Sequence, residues 1–245
     1  MISAMEGGRA IGRVAALRRF PVKSMRAERL DEAELRWSGF RGDREYAFVL
    51  EDRLRRFPWA TGRELPAMPL YAPTIASEYG PTGLPVEVTT PDGRTLPVGD
   101  PSLAGELGER IGRPVRAMQL SRGAYDSMPL SVLSTGTVAA LERARGGAVN
   151  PERFRMNVLI DAPERDADWR GSILAFGEEG PRIALVRPVA RCAMITIDPD
   201  TGERDPSVLR LVAQAFGNEV GEYGSVLREG AIRLGDEVRL LPLPG

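Results

Sequence analysis

Reactive side chains are scarce in this chain: one thiol, Cys192, one side-chain amine, Lys23, and no histidine. Lysine and arginine together number 33, so every basic residue other than Lys23 is an arginine. A GC-rich genome accounts for the arginines but not for the survival of Lys23 and Cys192 in two distinctive settings. These are Phe20-Pro21-Val22-Lys23-Ser24 and Arg187-Pro188-Val189-Ala190-Arg191-Cys192. A soft thiolate suits a molybdenum centre, copper(I) or thiol redox chemistry; the plain alternative is a small buried hydrophobe. Lysine beside a hydroxyl can hold a phosphate through one charge-assisted bond and one neutral bond, the plain alternative being an exposed surface lysine. Two further cations sit at the edges of strand-like runs: Arg44 in Gly42-Asp43-Arg44-Glu45-Tyr46, and Arg155 in Arg153-Phe154-Arg155-Met156-Asn157-Val158. Arg155 and Asn157 are two apart and would share one face of a strand. Converging, these groups could coordinate a dianion, with the thiol at the other end of the same site.

The inventory also excludes chemistry. Without histidine there is no imidazole base, no Ser-His-Asp or Cys-His nucleophile system, and no zinc or iron site that needs imidazole. A lone cysteine rules out an internal disulfide framework and an iron–sulfur cluster held by this chain alone. A formal net charge of −1 argues against general nucleic-acid binding, which needs a strongly basic face to displace counterions. Arg53, Arg55 and Arg56 read as solvated surface. The first twelve residues hold no continuous apolar stretch of the secretory kind. No apolar run approaches the roughly 18 residues of a membrane span, so the expectation is a soluble, cytoplasmic protein that binds neither nucleic acid nor membrane.

Positioning such a site falls to short strands. Arg13–Leu17, Tyr46–Leu50, Pro85–Thr90, Arg94–Leu96 and Arg182–Val186 have strand length, and Asp92-Gly93 predicts a hairpin between the third and fourth. Cys192 is expected to open a strand reaching Asp198, with Cys192, Met194 and Thr196 on one face and Arg191 turned away. Gly230–Leu240 reads as two strands about a Gly-Asp turn. Three helices are predicted: about Ser102 to Ile111; about Ser134 to Arg145, capped by Ser134 or Thr135; and one opened by Asp205-Pro206 that runs to Gly217. The class is mainly β with a few helices (α+β), without βαβ alternation, and Gly112 to Pro114 is the candidate seam between halves.

The C-terminal half resembles the MOSC (molybdenum cofactor sulfurase C-terminal) domain. The resemblance rests on Arg153-Phe154-Arg155-Met156-Asn157, Asp168-Trp169-Arg170-Gly171, Ala190-Arg191-Cys192, Thr196 to Gly202 and Gly230 to Asp236. The N-terminal half is similar to the β-barrel domain that precedes it in many members, through Pro21-Val22-Lys23-Ser24, Gly42-Asp43-Arg44 and Thr61-Gly62-Arg63-Glu64-Leu65-Pro66. This implies a smaller N-terminal β-barrel-like domain over residues 9–113 and a MOSC-type β-barrel over residues 114–245. It further implies the molybdenum-pterin cofactor (Moco), ligated by Cys192, with Lys23, Ser24, Arg44, Arg155 and Asn157 holding the pterin and its phosphate. Asp126 and Ser127, in Asp126-Ser127-Met128-Pro129-Leu130, join them on the same resemblance. Where family members often read Arg-Pro-Asn, this chain reads Arg155-Met156-Asn157.

The implied activity, as in the amidoxime-reducing members, is oxygen-atom transfer from a small N-hydroxylated or N-oxide-like substrate, with electrons from a separate reductase. The same residues also suit a non-catalytic cofactor binder or a carrier of persulfide sulfur on Cys192. A degenerate scaffold is a third reading, and a pyridoxal-phosphate enzyme with Lys23 as Schiff base a fourth.

Overall fold

A computed structural model describes residues 8–52, 57–76, 85–120 and 123–243, so Arg53, Arg55, Arg56 and the first seven residues lie outside it. The larger body is a closed seven-strand barrel. Around the wall run Arg9–Arg19, Val158–Asp161, Leu130–Ser134, Glu219–Arg228, Arg182–Ala190, Ser172–Phe176 and Glu237–Pro242, which pairs back onto Arg9–Arg19. All of these pairings are antiparallel except that of Leu130–Ser134 with Val158–Asp161. The inward residues alternate as a pleated wall demands: Leu130 and Val132, Val158 and Ile160, Leu174 and Phe176, Ile183 and Leu185. Arg9–Arg19 instead buries Ile11, Val14 and Leu17 at every third position. Its register slips between Ala10 and Gly12 and again between Val14 and Ala16, and each bulge adds a residue and returns the side chains to the core. Gly12 is required there, because a Cβ would stand 1.9 Å from the Asp161 carbonyl oxygen.

The smaller module packs Tyr46–Leu50 and Val115–Gln119, an antiparallel pair, against the meander Ala72–Ile75, Val86–Thr89, Thr95–Pro97. Asp92-Gly93 lies in the tight turn joining the last two strands, and Gly93 has φ +88°. Helix Pro101–Ile111 lays Leu103 and Leu107 onto this core, with Phe48, Leu50, Met68 and Tyr71. All three predicted helices are present, the second and third with the caps expected from sequence. Asp100 accepts from Ser102 N, Ser134 from Thr137 N ahead of helix Thr135–Arg145, and Asp205 from Ser207 N ahead of helix Pro206–Ala215.

Hydrogen bonding crosses the seam at Gly112 to Pro114, since Arg9–Arg19 forms wall of the barrel that otherwise belongs to the C-terminal half. Gly230–Arg233 and Glu237–Pro242 are both strands, but they serve different sheets: the first pairs with Glu32–Arg36, the second with the barrel.

Two local expectations are corrected. Ala193–Thr196 is a 3-10 turn and not a strand. Ile195 N donates to Cys192 O at 3.2 Å and Thr196 Oγ1 to Ala193 O at 2.7 Å, so local bonds override the β-branched sequence. Likewise Arg155 and Asn157 precede the strand Val158–Asp161, and Arg155 is left-handed (φ 54°) at the end of the 3-10 turn Pro151–Phe154. They share no strand face.

Because Arg9–Arg19 supplies the wall between Val158–Asp161 and Glu237–Pro242, a fragment beginning at Pro114 should show no cooperative urea transition, and adding a peptide of residues 8–19 should restore one. A cooperative transition of the fragment alone would contradict the shared wall.

Candidate functional site

Between the two modules lies a cleft of ≈ 890 Å³ with its open mouth and the solvent in it included. It is lined by Lys23, Ser24, Arg44, Asp126, Arg155 and Cys192, six of the eight residues expected from sequence. The remaining two stand outside. Ser127 is exposed on the bend that carries Asp126. Asn157 is 1% exposed: its Oδ1 accepts from Ser131 Oγ at 2.9 Å and its Nδ2 donates to Arg18 O at 3.2 Å. Asn157 thus ties the end of Arg9–Arg19 to Leu130–Ser134, behind the cleft wall that Ser131 forms.

The cations arrive on tight turns. After the first strand, Lys23 N donates to Tyr46 O at 2.8 Å and Arg26 N to Tyr71 O at 2.9 Å, and Ser24 between them has φ 68°. Arg44 has φ 56°; its N donates to Phe20 O at 2.7 Å and its carbonyl accepts from Ala124 N at 2.7 Å. Among the described residues the non-glycine positions with positive φ are Ser24, Arg44, Arg155 and Asn218. Three of them line the cleft, and the fourth exchanges hydrogen bonds with Arg191 beside it. Such backbone strain clusters where surrounding structure enforces it, characteristically at ligand clamps.

Charge in the cleft is unevenly compensated. Lys23 is 5% exposed, and its Nζ donates to Ala124 O and Asp126 Oδ1, both at 2.7 Å. Burial draws its pKa below the ordinary lysine value against the pull of Asp126. For Arg44 burial works against the charge, but the fully buried Asp43 more than offsets it and raises the pKa. Asp43 accepts from Arg44 Nη1 and, through its other oxygen, from Phe20 N at 2.7 Å. Arg155 has no such partner: burial first, then the charge of Arg44, lowers its pKa to about 9. It therefore remains a cation at neutral pH, as guanidiniums do. Its Nη1 reaches Met25 O at 2.7 Å, and its Nη2 is buried with no hydrogen-bond partner among the described residues.

At the other end Cys192 is half-buried, at the start of the Ala193–Thr196 turn. Cys192, Met194 and Ile195 all line the cleft, whereas Thr196 is buried behind them. The hydrogen bonds of Arg191 go to Val220 O, Phe154 O and Met156 Sδ, so this arginine braces the cysteine loop. Arg153 does the same from below, donating to Thr196 O at 3.0 Å and Asp198 Oδ2 at 2.6 Å. A residue not picked out from sequence stands near the thiol: Arg63 of the smaller module lines the cleft together with Cys192, and its interaction with the Cys192 sulfur raises its pKa. Its setting, Thr61-Gly62-Arg63, was visible as a motif, but nothing in its composition points across the cleft. Tyr125 was also missed. It lines the cleft, and its hydroxyl donates to Asp43 O at 2.9 Å.

One thiol at one end and a cluster of cations with a spare buried donor at the other suit a soft metal carried on a phosphate-bearing group. Among the described residues no group of three or more acidic, cysteine or histidine side chains could hold a bare metal ion. No helix in this set is long and apolar enough to cross a membrane.

Comparison with known proteins identifies the domains of the chain. Residues 119–239 match the MOSC domain and residues 11–126 the MOSC N-terminal beta barrel domain. The human mitochondrial amidoxime-reducing component 1 is 28% identical over 131 residues, covering 47% of this chain and 38% of that protein. A molybdenum cofactor sulfurase of Caenorhabditis elegans is 25% identical over 232 residues, covering 86% of this chain and 32% of its own length. The chain thus spans well under half of either relative. The crystal structure of the YUAD protein from Bacillus subtilis shares the fold, with a TM-score of 0.50 at 14% identity over 95% of this chain and 97% of that one. Matched nearly end to end by the two domains in order, the chain belongs to the MOSC family.

Proposed function

We propose that this chain binds the molybdenum-pterin cofactor and reduces small N-hydroxylated or N-oxide-like molecules. The observation that carries the reading is the pairing of the chain's sole thiol with half-buried Arg155, whose Nη2 is buried without a partner among the described residues, at two ends of one cleft. The kinship with a molybdenum cofactor sulfurase and an amidoxime-reducing component supports it. When bound, the cofactor supplies two-electron oxygen-atom transfer; the protein's part is ligation, orientation and access. Cys192 is the metal ligand. Arg155 Nη2, the Lys23 ammonium and the Ser24 hydroxyl hold the phosphate, with Arg44 fixing the Arg155 turn through its bond to Arg155 O at 3.2 Å. Asp126 holds Lys23 in place at the mouth of the cleft. A single cysteine leaves no iron–sulfur relay in this chain, so electrons come from a separate reductase.

Two outcomes follow. Protein purified from a cofactor-making host should carry near-stoichiometric molybdenum, measured together with tungsten. Cys192→Ser should lose turnover while keeping its urea transition; retained turnover, or a persulfide on metal-free protein with no metal uptake, would refute the enzyme reading. Second, sulfate should stabilise the metal-free protein by mass action at the phosphate end, raising its urea midpoint. Arg155→Met should abolish that response, and an equal response in the variant would place the anion elsewhere.

A further inference from the structure

Arg63 faces the cleft that holds the thiol from the opposite module, and its backbone is held by several hydrogen bonds. Thr61, 5% exposed, folds the turn: Leu65 N donates to Thr61 O at 3.0 Å, Arg63 N to Thr61 Oγ1 at 3.2 Å, and Glu64 Oε2 accepts from Thr61 N and Oγ1. From the cysteine side, Arg204 Nη2 donates to Gly62 O at 2.9 Å and Arg63 O at 3.1 Å. Gly62 lies so close to the cysteine turn that a Cβ would meet Ile197 Cδ1 at 2.6 Å and Met194 Sδ at 2.8 Å. A rigid turn docked on the segment that bears the thiol therefore carries a side chain that is itself exposed.

The other cations of the cleft are engaged. Lys23 is paired with Asp126, Arg44 with Asp43 and Arg153 with Asp198; the donors of Arg191 go to Phe154 and Val220 carbonyls and the Met156 sulfur. Arg155 lies at the phosphate end. Arg63 is the exposed cation at the sulfur end, and a planar guanidinium is suited to carboxylates and other oxyanions.

We propose that Arg63 is the specificity-determining residue of this cleft, selecting small molecules that bring a negative charge to the sulfur of Cys192. Resting on the proposed function, this narrows the substrate class to anionic oxygen donors, N-oxides and N-hydroxylated compounds that carry a carboxylate, over cationic ones. With Cys192 ligating a metal, the exposed Arg63 N–H donors would be available to the incoming molecule.

The single thiol makes the test specific. In metal-free full-length protein, Cys192 is alkylated with iodoacetate, an anion, and with iodoacetamide, its neutral analogue; in both the sulfur displaces iodide. The ratio of the two rates cancels the thiolate fraction, which is common to both reagents. Arg63→Gln should lower the iodoacetate-to-iodoacetamide ratio about fivefold, the factor implied by two unit charges roughly 4 Å apart in water. Arg63→Lys should keep most of the preference. An unchanged ratio in Arg63→Gln, or an equal fall in Arg63→Lys, would overturn the proposal. Failure to take up molybdenum would refute the proposed function without altering this ratio, and an unchanged ratio would leave metal binding standing.

Discussion

Two guanidiniums share one aromatic ring. The Cζ atoms of Arg44 and Arg155 lie 4.6 and 4.4 Å from the centroid of Phe20, itself 1% exposed. One buried carboxylate, Asp43, serves Arg44. The cluster therefore holds one more positive charge than its own residues neutralise, and a buried cation is costly unless paired. Left-handed backbone at Ser24, Arg44 and Arg155 adds to that cost, at about 1–3 kcal/mol for each such residue. Against a total stability of about 5–15 kcal/mol for a typical domain, this strain is large. It is sustained by the surrounding structure, and an anion in the cleft would relieve its electrostatic part.

That requirement explains much of the architecture. The first strand crosses from the barrel wall to deliver Phe20, Lys23 and Ser24, the turn before Tyr46–Leu50 delivers Arg44, and the end of the Pro151–Phe154 turn delivers Arg155. Arginines elsewhere act as struts whose multiple donors bind carbonyl oxygens: Arg26 joins Pro69 to Pro199, Arg191 joins Phe154 to Val220, and Arg204 holds the Gly62 turn. A lysine has fewer, less rigidly arranged donors for such bridging, so many of these arginines have structural work beyond codon usage.

Sequence made the helices, the caps of the second and third, and the Asp92-Gly93 hairpin legible, because capping and turn chemistry are local. Residue chemistry singled out Lys23, Ser24, Arg44, Arg155 and Cys192, and the family resemblance added Asp126. What sequence missed is non-local. Closure of the barrel by Arg9–Arg19 depends on two bulges that break the period of two. The segment after Cys192 has strand-like residues, yet Arg153, bonded to Thr196 O, and Arg191 brace it as a 3-10 turn. Asn157 carries the polar character of a site residue but meets Ser131 and Arg18. Arg63 could not be singled out among so many arginines, since the thiol whose cleft it lines lies across the module interface.

The central claim is that Cys192 binds a pterin-borne metal in the cleft whose far end is the Arg44–Phe20–Arg155 cluster. X-ray absorption at the molybdenum edge of the cofactor-loaded chain tests it most directly. The account predicts one sulfur neighbour beyond the pair contributed by the pterin dithiolene, because this chain has a single thiol to give. Molybdenum surrounded by the dithiolene sulfurs alone would contradict it.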